Sequence, residues 1–178
     1  MLTISAGHFG RATGAIGFID EGSEVVEVVK GLQTHFQAST IAPQFIIDRY
    51  SKNQAQNLRY LIAAHNKTNR VLDVSIHFNA ISEKREAGIG TEVLYVNPKL
   101  KEFAANMSAV IAKAGEFKDR GAKHRTNLAW LNKTMKPAII IEICFVNSKT
   151  DVHCYQKNKP QIIEEIFKLL ESYELYKK

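Results

Sequence analysis

The sequence predicts an α/β fold, a three-layer sandwich whose mainly parallel central sheet is flanked by helices. Short apolar segments rich in β-branched residues alternate along the chain with longer segments of helical periodicity. Such alternation is typical of strands joined by helical crossovers, which place the strands parallel to one another. A length of 178 residues and a hydrophobic content of 45% suffice for a substantial core. We therefore expect a single domain over residues 1–178.

The first half of the chain contains three predicted strands and two predicted helices. In chain order they are the strand Leu2–Ala6, a helix over residues 23–37, the strand Pro43–Asp48, a helix over residues 52–67 and the strand Val71–His77. The first helix has one apolar face, formed by Val25, Val28, Val29, Leu32 and Phe36. Ser23 is expected to cap this helix, and Glu24 lies in its first turn, where a negative charge suits the helix dipole.

The second half continues the same alternation and contains the most hydrophobic segment of the chain. In chain order it has the strand Thr91–Val96, a helix over Pro98–Phe117, a short strand or turn over Leu128–Leu131, the strand Pro137–Val146, a short helix over Ser148–Tyr155 and a closing helix over Pro160–Tyr173. Gly121 is expected to break the chain after the long helix. Trp130 is expected either to pack in the core or to form part of a substrate wall.

Two histidines lie where predicted strands end. His8 follows the first strand and is bracketed by Gly7 and Gly10, which allow a sharp turn with the ring projecting. His77 ends the third strand, where the backbone is rigid and the side chain faces the crevice outside the strand ends. A histidine in such a position is equally compatible with a structural hydrogen-bonding role. These are the first two candidate functional residues.

Three acidic residues compete for roles near these histidines. Glu142 is the single acid of the apolar strand Pro137–Val146, where a carboxylate is costly unless it is paired, metal-bound or protonated. Glu24 has a sufficient structural explanation in the first turn of its helix. Glu21 is predicted to lie outside that helix, beside the glycine-containing loop, and has no such explanation.

His8, Glu21 and His77 together form a ligand set for a catalytic zinc ion, which needs three protein ligands and an open position for water. Glu142 could then move the proton of that water. No two of these residues share a short spacing such as H-E-x-x-H, so the residues by themselves do not establish a metal.

The formal net charge of +6 favours a polyanionic partner such as nucleic acid, anionic lipid or a wall polymer. The basic residues are scattered, however, and an ordinary solvated surface explains them equally well. A non-catalytic binder of anionic polymer is therefore the main alternative to an enzyme. A thiol hydrolase built on Cys144 and His77 is disfavoured, because Cys144 lies in an apolar segment with nothing to lower its pKa.

Five stretches occur in the order of known family motifs. They are Ile4–Gly10, Glu21, Ser75–Ala80, Gly90–Tyr95 and Pro137–Val146. In this the chain resembles the zinc-dependent N-acetylmuramoyl-L-alanine amidases of the amidase_3 family, and most closely the catalytic domains of phage endolysins. The resemblance covers nearly the whole chain. One departure is Phe9, which stands where the family usually has a second glycine and is expected to reshape the cleft without affecting the metal.

The resemblance implies that His8, Glu21 and His77 bind zinc and that Glu142 is the catalytic acid and base. Glu24 stays a rival to Glu21 as the third ligand. The implied reaction is hydrolysis of the amide bond between N-acetylmuramic acid and L-alanine in peptidoglycan.

The resemblance also implies a set of partners and a location. Peptidoglycan is the expected partner, with anionic wall polymers as a further one, and neither nucleic acid binding nor membrane insertion is expected. The protein is expected to stay in the host cytoplasm until it is released without a signal peptide, and then to lyse the bacterial wall. No separate wall-binding domain is expected within the sequence. The target bacterium, the preferred stem peptide, a phage or bacterial origin, and the oligomeric state are left open.

Overall fold

Six strands form one sheet in the computed structural model, which describes residues 1–175. The strands are β1 (Leu2–Ala6), β2 (Gln44–Ile46), β3 (Leu72–Asn79), β4 (Thr91–Tyr95), β5 (Asp119–His124) and β6 (Ala138–Phe145). Their spatial order is β2-β1-β3-β6-β4-β5. The first four in this order are parallel, β4 is antiparallel to β6, and β5 is parallel to β4. The predicted mainly parallel sheet is confirmed.

Helices cover both faces of the sheet. They are α1 (Glu21–Gln37), α2 (Gln54–Asn66), α3 (Lys101–Gly115), α4 (Ala129–Lys133) and α5 (Lys149–Leu175). The helices α1, α3 and α5 pack on one another and on the sheet, whereas α2 contacts α4 on the opposite face. This arrangement confirms the predicted three-layer sandwich. No helix within residues 1–175 combines the length and the apolar character needed to cross a membrane.

Strand β6 lies inside the sheet and is buried on both faces. Ile139, Ile141 and Ile143 belong to the apolar cluster beneath α1, α3 and α5. Ala138 and Ile140 belong to the second cluster, beneath α2 and α4. A strand covered on both faces needs a continuous apolar sequence. This explains why the single carboxylate of β6 stands out in the sequence.

The first helix begins earlier than its sequence pattern predicts. Asp20 is extended (φ −98°, ψ 112°) and its Oδ1 accepts a hydrogen bond from the Ser23 backbone N–H. Asp20 is therefore the N-cap residue, and the prediction of Ser23 as the cap is wrong. As a consequence, Glu21 is the first residue of α1 and not part of the preceding loop. Its side chain is thus fixed by a helix end.

The two helices predicted for the C-terminal part form the single helix α5, with Pro160 in its interior. Proline removes one helical hydrogen bond and usually costs about 3 kcal/mol. The buried apolar positions on both sides of it include Val152, Tyr155, Ile162, Ile163 and Ile166. Because these residues pack in the same layer as α1 and α3, their burial outweighs the local cost and the helix continues.

The sheet edge also differs from the prediction. Strand β5 was not predicted, because it is a half-exposed edge strand with a polar sequence and contains Gly121 at a positive φ of 72°. The pairing register of β5 with β4 shifts between Thr91 and Val93 of β4. The segment predicted as a short strand or turn over Leu128–Leu131 is instead the beginning of helix α4. Edge elements lack the apolar periodicity on which such predictions depend.

Candidate metal centre

The strand register places the candidate residues at one edge of the sheet. Gly7 extends the pairing of β1 with β3, because its N–H donates to the Ile76 carbonyl at 2.9 Å. His8 therefore leaves the sheet beside the carboxyl end of β3. On the other side of β3, His77 is the register partner of Glu142 in β6. Three neighbouring strands thus carry His8, His77 and Glu142 to the same crevice.

The structure brings His8, Glu21 and His77 together. His8 Nε2 lies 3.0 Å and His77 Nδ1 lies 3.2 Å from Glu21 Oε1. The two rings are perpendicular, with centroids 5.0 Å apart. One ligand atom from each residue lies within 4.8 Å of the others. Residues far apart in sequence therefore form one compact cluster of metal-ligating groups.

The Glu21 carboxylate is held in place by backbone donors. Its Oε1 accepts from the Phe78 N–H at 3.0 Å and its Oε2 accepts from the Ala15 N–H at 2.8 Å. Burial by itself would raise the pKa of Glu21, but hydrogen bonds from His77 and His8 outweigh it and keep the pKa well below its usual value. The carboxylate is thus anionic and preoriented at neutral pH.

Gln54 determines which nitrogen of His8 faces the cluster. The ring donates from Nδ1 to Gln54 Oε1 at 3.2 Å, so in the neutral imidazole Nε2 carries the lone pair. That lone pair points at the anionic Glu21 Oε1, an arrangement that requires a cation or an added proton between them. Burial opposes that proton, but the hydrogen bond from His8 to Glu21 raises the pKa of the histidine overall. A bound divalent cation would satisfy the same requirement.

The donor set fits zinc. Ligands about 2.1 Å from a tetrahedral zinc ion are about 3.4 Å from one another. The distances of 3.0 and 3.2 Å from Glu21 Oε1 to the two imidazole nitrogens are close to this value. Two imidazoles and one carboxylate are also the ligand types of catalytic zinc sites, which keep a fourth position open. The residues present therefore fit a zinc ion.

Two glycines leave the space that the cluster needs. A Cβ on Gly7 would lie 2.0 Å from His77 Nε2, and a Cβ on Gly14 would lie 2.6 Å from Glu21 Oε2. Real Cβ atoms do not approach so closely, so either side chain would have to displace His77 or Glu21. The backbone at these positions is thus shaped around the cluster.

We expect Gly7→Ala to lower zinc affinity by about 10- to 100-fold, the loss typical of altered ligand orientation. The added methyl group would push the His77 ring away from Glu21. The measurement is competition with a chelator of known affinity. Gly88→Ala is the matched control, because the atoms nearest its added Cβ, at 3.2 Å or more, belong to Asp151 and Thr150 and to none of the three cluster residues. Unchanged zinc affinity in Gly7→Ala would contradict the role of His77 as a ligand.

Glu142, the fourth residue singled out by the sequence, lies at the same edge of the sheet. Its Oε2 is buried and has no hydrogen-bond partner within residues 1–175. The pKa of Glu142 is raised to about 8, mainly by burial, and the nearby negative charges of Glu21 and Glu92 contribute to the same rise. A carboxyl group with a pKa near neutral pH can both accept and donate a proton during a reaction.

The raised pKa of Glu142 predicts a pH-dependent stability of the metal-free protein. Between its ordinary pKa of 4.5 and the folded value of about 8, the folded state retains a proton that the unfolded state has lost. Stability must therefore fall as the pH rises through this window. Glu142→Gln removes the ionisation and should be more stable than the wild type at pH 8, by the order of a few kcal/mol, but not at pH 4.

Urea unfolding of the chelator-treated proteins across this pH range measures the difference. Glu102→Gln, which changes an exposed residue of α3, serves as the control and should follow the wild-type curve. A constant difference between Glu142→Gln and the wild type from pH 4 to pH 8 would show that Glu142 titrates normally.

Sequence reasoning missed a second buried carboxylate beside Glu142. Glu92 in β4 is the register partner of Glu142 and is 3% exposed. Its oxygens accept from Arg120 Nε at 2.7 Å and from Asn79 Nδ2 at 3.0 Å. A single acid within an apolar strand was the signal that identified Glu142, and the same signal in Thr91–Val96 could have identified Glu92. Gln54 is an exposed polar residue at the beginning of α2, and nothing in its local sequence indicates a role at the site.

The remaining sequence candidates lie elsewhere. Glu24 Oε2 accepts from the Tyr155 hydroxyl at 2.7 Å and from Lys159 Nζ at 2.8 Å, so it links α1 to α5. Cys144 is fully buried, and burial raises the pKa of its thiol well above the usual value. A buried neutral thiol is a poor nucleophile, which leaves the thiol hydrolase alternative without physical support.

Comparisons with known proteins identify a family for the chain. A family model described as N-acetylmuramoyl-L-alanine amidase, Amidase_3, matches residues 2–172. An uncharacterized 38.4 kDa protein of Clostridium perfringens is 31% identical over 169 residues, which cover 91% of this chain and 48% of that protein. A second protein, from Clostridium perfringens strain 13, is 29% identical over 93% of this chain and 49% of its own length. The chain thus spans about half the length of these curated relatives.

Two solved structures have the same fold over nearly the whole chain. The catalytic domain of the CD27L endolysin targeting Clostridia Difficile is 26% identical, with a TM-score of 0.83 and coverage of 94% of each chain. An N-acetylmuramoyl-L-alanine amidase from Clostridium difficile 630 is 24% identical, with a TM-score of 0.83 and coverage of 99% of this chain and 97% of that chain.

Proposed function

The chain belongs to the Amidase_3 family of N-acetylmuramoyl-L-alanine amidases, and on that premise we propose that it hydrolyses the amide bond between N-acetylmuramic acid and L-alanine in peptidoglycan. The observation that carries the proposal is the convergence of His8, Glu21 and His77, with Glu142 at the register position next to His77. Metal ligands and a separate acid and base are the two parts that amide hydrolysis by activated water requires.

We propose zinc as the cofactor. The residues that would hold it are His8 through Nε2, Glu21 through its carboxylate, and His77 through Nδ1, since both nitrogens lie within 3.2 Å of Glu21 Oε1. When bound, zinc supplies Lewis acidity toward the amide carbonyl and makes a water molecule acidic enough to attack at neutral pH. Gln54 orients the His8 ring, as the outer hydrogen-bond partners of metal ligands usually do.

Glu142 moves the proton in the proposed reaction. The buried Oε2 has no partner within residues 1–175, and it can therefore accept a proton from the attacking water. The hydroxyl group adds to the lactyl carbonyl carbon, the C–N bond breaks, and Glu142 returns the proton to the leaving nitrogen of L-alanine. Glu92, fixed by Arg120 and Asn79, lies beside Glu142 and favours its protonated form.

The protein is proposed to act on the bacterial wall as a bacteriolytic enzyme of the endolysin type. Its net charge of +6 would assist adsorption to anionic wall polymers. The alternative is a protein that binds such polymers without cleaving them.

A wall-lysis assay separates the two functions. We expect purified cell walls to lose turbidity with the zinc-loaded protein, and a chelator to stop this loss. Mass spectrometry of the digest should find free lactyl carboxyl groups and new L-alanine amino termini. Walls that bind the protein but keep their turbidity would favour the non-catalytic binder. Cleavage of a different bond would contradict the proposed specificity for the amide bond between N-acetylmuramic acid and L-alanine.

A further inference from the structure

A cavity of about 170 Å³ opens beside the candidate metal centre, on the sheet face covered by α2 and α4. Its wall includes His77 and Gln54, whose Oε1 binds His8. It also includes Asn57, Ser75 and Trp130. A group that enters this cavity is therefore in contact with one proposed metal ligand and with the residue that orients another.

Three residues of the wall carry buried polar atoms that lack a hydrogen-bond partner within residues 1–175. These atoms are Asn57 Oδ1, Ser75 Oγ and Trp130 Nε1. These atoms are closed to solvent, and buried polar groups in folded proteins are nearly always hydrogen-bonded, so we expect them to gain partners when a ligand enters the cavity and the wall adjusts around it. All three residues are at least nine-tenths buried.

The chemistry of these atoms is defined by their surroundings. Asn57 Nδ2 donates to Asp48 Oδ2 at 3.0 Å, which fixes the orientation of the amide and leaves Oδ1 as an acceptor. Trp130 Nε1 can only donate, and the Ser75 hydroxyl can do either. A ligand must therefore offer an N–H to Asn57 and an acceptor oxygen to Trp130.

The rest of the wall is apolar. It is formed by Leu58, Leu61, Leu128, Ala129 and Ile140. A ligand that satisfies the whole wall combines an N–H, a carbonyl oxygen and a small alkyl group. These are the three parts of an acetamido group. Its four heavy atoms need on the order of 100 Å³ if each occupies roughly the volume of a water molecule in the liquid, which the cavity provides.

We propose that this cavity binds the 2-acetamido group of N-acetylmuramic acid. The inference rests on the proposed function, in which the lactyl ether at the neighbouring C3 of the same sugar carries the scissile carbonyl. The acetamido group is thus only a few bonds from the reacting carbon. The methyl group of the L-alanine residue is also close to the reacting carbon and is a rival occupant of the cavity. A methyl group, however, would leave the polar atoms of Asn57, Ser75 and Trp130 without partners.

Trp130 is the only tryptophan of the chain, and its fluorescence therefore reports directly on the cavity. The zinc-loaded full chain is titrated with N-acetylmuramic acid and, in parallel, with muramic acid, which has the same lactyl group but lacks the acetyl group. We expect a saturable change in emission with N-acetylmuramic acid and at least about tenfold weaker binding of muramic acid. Equal responses to the two sugars, or no response to either, would overturn the inference.

A second experiment compares hydrolysis of N-acetylmuramoyl-L-alanyl-D-isoglutamine with that of its N-deacetylated form. The wild type should prefer the acetylated substrate, and Trp130→Phe should reduce the ratio of the two kcat/KM values about tenfold, because it removes the indole N–H together with part of the ring. Tyr60→Phe, which removes an exposed hydroxyl from the same helix as Asn57, should keep the ratio. An unchanged ratio in Trp130→Phe would contradict the proposed role of its N–H.

The two experiments separate this inference from the proposed reaction. A fluorescence change specific for N-acetylmuramic acid, without hydrolysis of either substrate, would support the acetamido site and reject the amidase activity. Hydrolysis of both substrates at equal rates, with no discrimination in the fluorescence titration, would support the amidase activity and reject the acetamido site.

Discussion

Replacement of Glu142 by glutamine is expected to lower the rate of peptidoglycan hydrolysis by about 10²- to 10⁴-fold, the usual contribution of a general acid and base. Glutamine has nearly the same size and shape but cannot take the proton of the attacking water. The zinc content should stay near one ion per chain, because the ligand cluster of His8, Glu21 and His77 does not include Glu142. Lysis rates and metal content are measured on the same preparation.

The control for this experiment is Glu102→Gln, which should lyse walls at the wild-type rate. The expected loss of activity in Glu142→Gln is not caused by unfolding. Near pH 8 the metal-free wild type buries an ionising carboxyl group, so Glu142→Gln should be the more stable of the two proteins. Loss of zinc in Glu142→Gln would reassign Glu142 from acid and base to metal ligand. Wall lysis at the wild-type rate would remove it from the mechanism.

His77→Ala is expected to abolish both zinc binding and wall lysis. His77 Nδ1 is one of three atoms that converge on the site, and two remaining ligands seldom retain a catalytic zinc ion. Zinc affinity should fall by more than about 100-fold, the upper end of the losses caused by changes in outer hydrogen-bond partners. Metal analysis after dialysis, together with the turbidity assay, measures both effects.

His153→Ala is the matched control, since it removes an exposed imidazole from α5 and should leave zinc content and lysis unchanged. Wall lysis by His77→Ala at a normal rate would refute the assignment of this residue as a ligand. Full activity of the wild type in excess chelator would refute the metal itself.

Much of the fold could be predicted from the sequence because buried elements carry a local periodicity. The strands β1, β3 and β6 and the helix α3 lie where apolar patterns predict them, since each is covered by neighbouring elements. The edge strand β5 was missed because half of its surface faces solvent. The sequence also does not predict that α5 continues through Pro160. A proline inside a helix is a visible local cost, whereas the packing of buried residues on both sides of it, which outweighs that cost, is not visible in the sequence.

The candidate site likewise has features that follow from local sequence and features that depend on the fold. The local sequence correctly predicts that His8 follows a buried strand and that Glu142 is a carboxylate in an apolar strand, because glycine brackets and hydrophobic runs are local features. It places the end of β3 at His77, whereas the strand continues to Asn79. The roles of the acids depend instead on the three-dimensional fold, in which Glu21 faces both imidazoles, Glu24 binds α5 and Glu92 lies beside Glu142. Distances between side chains on different elements depend on strand register and helix rotation. Those are fixed by packing across the whole core and not by any short stretch of chain.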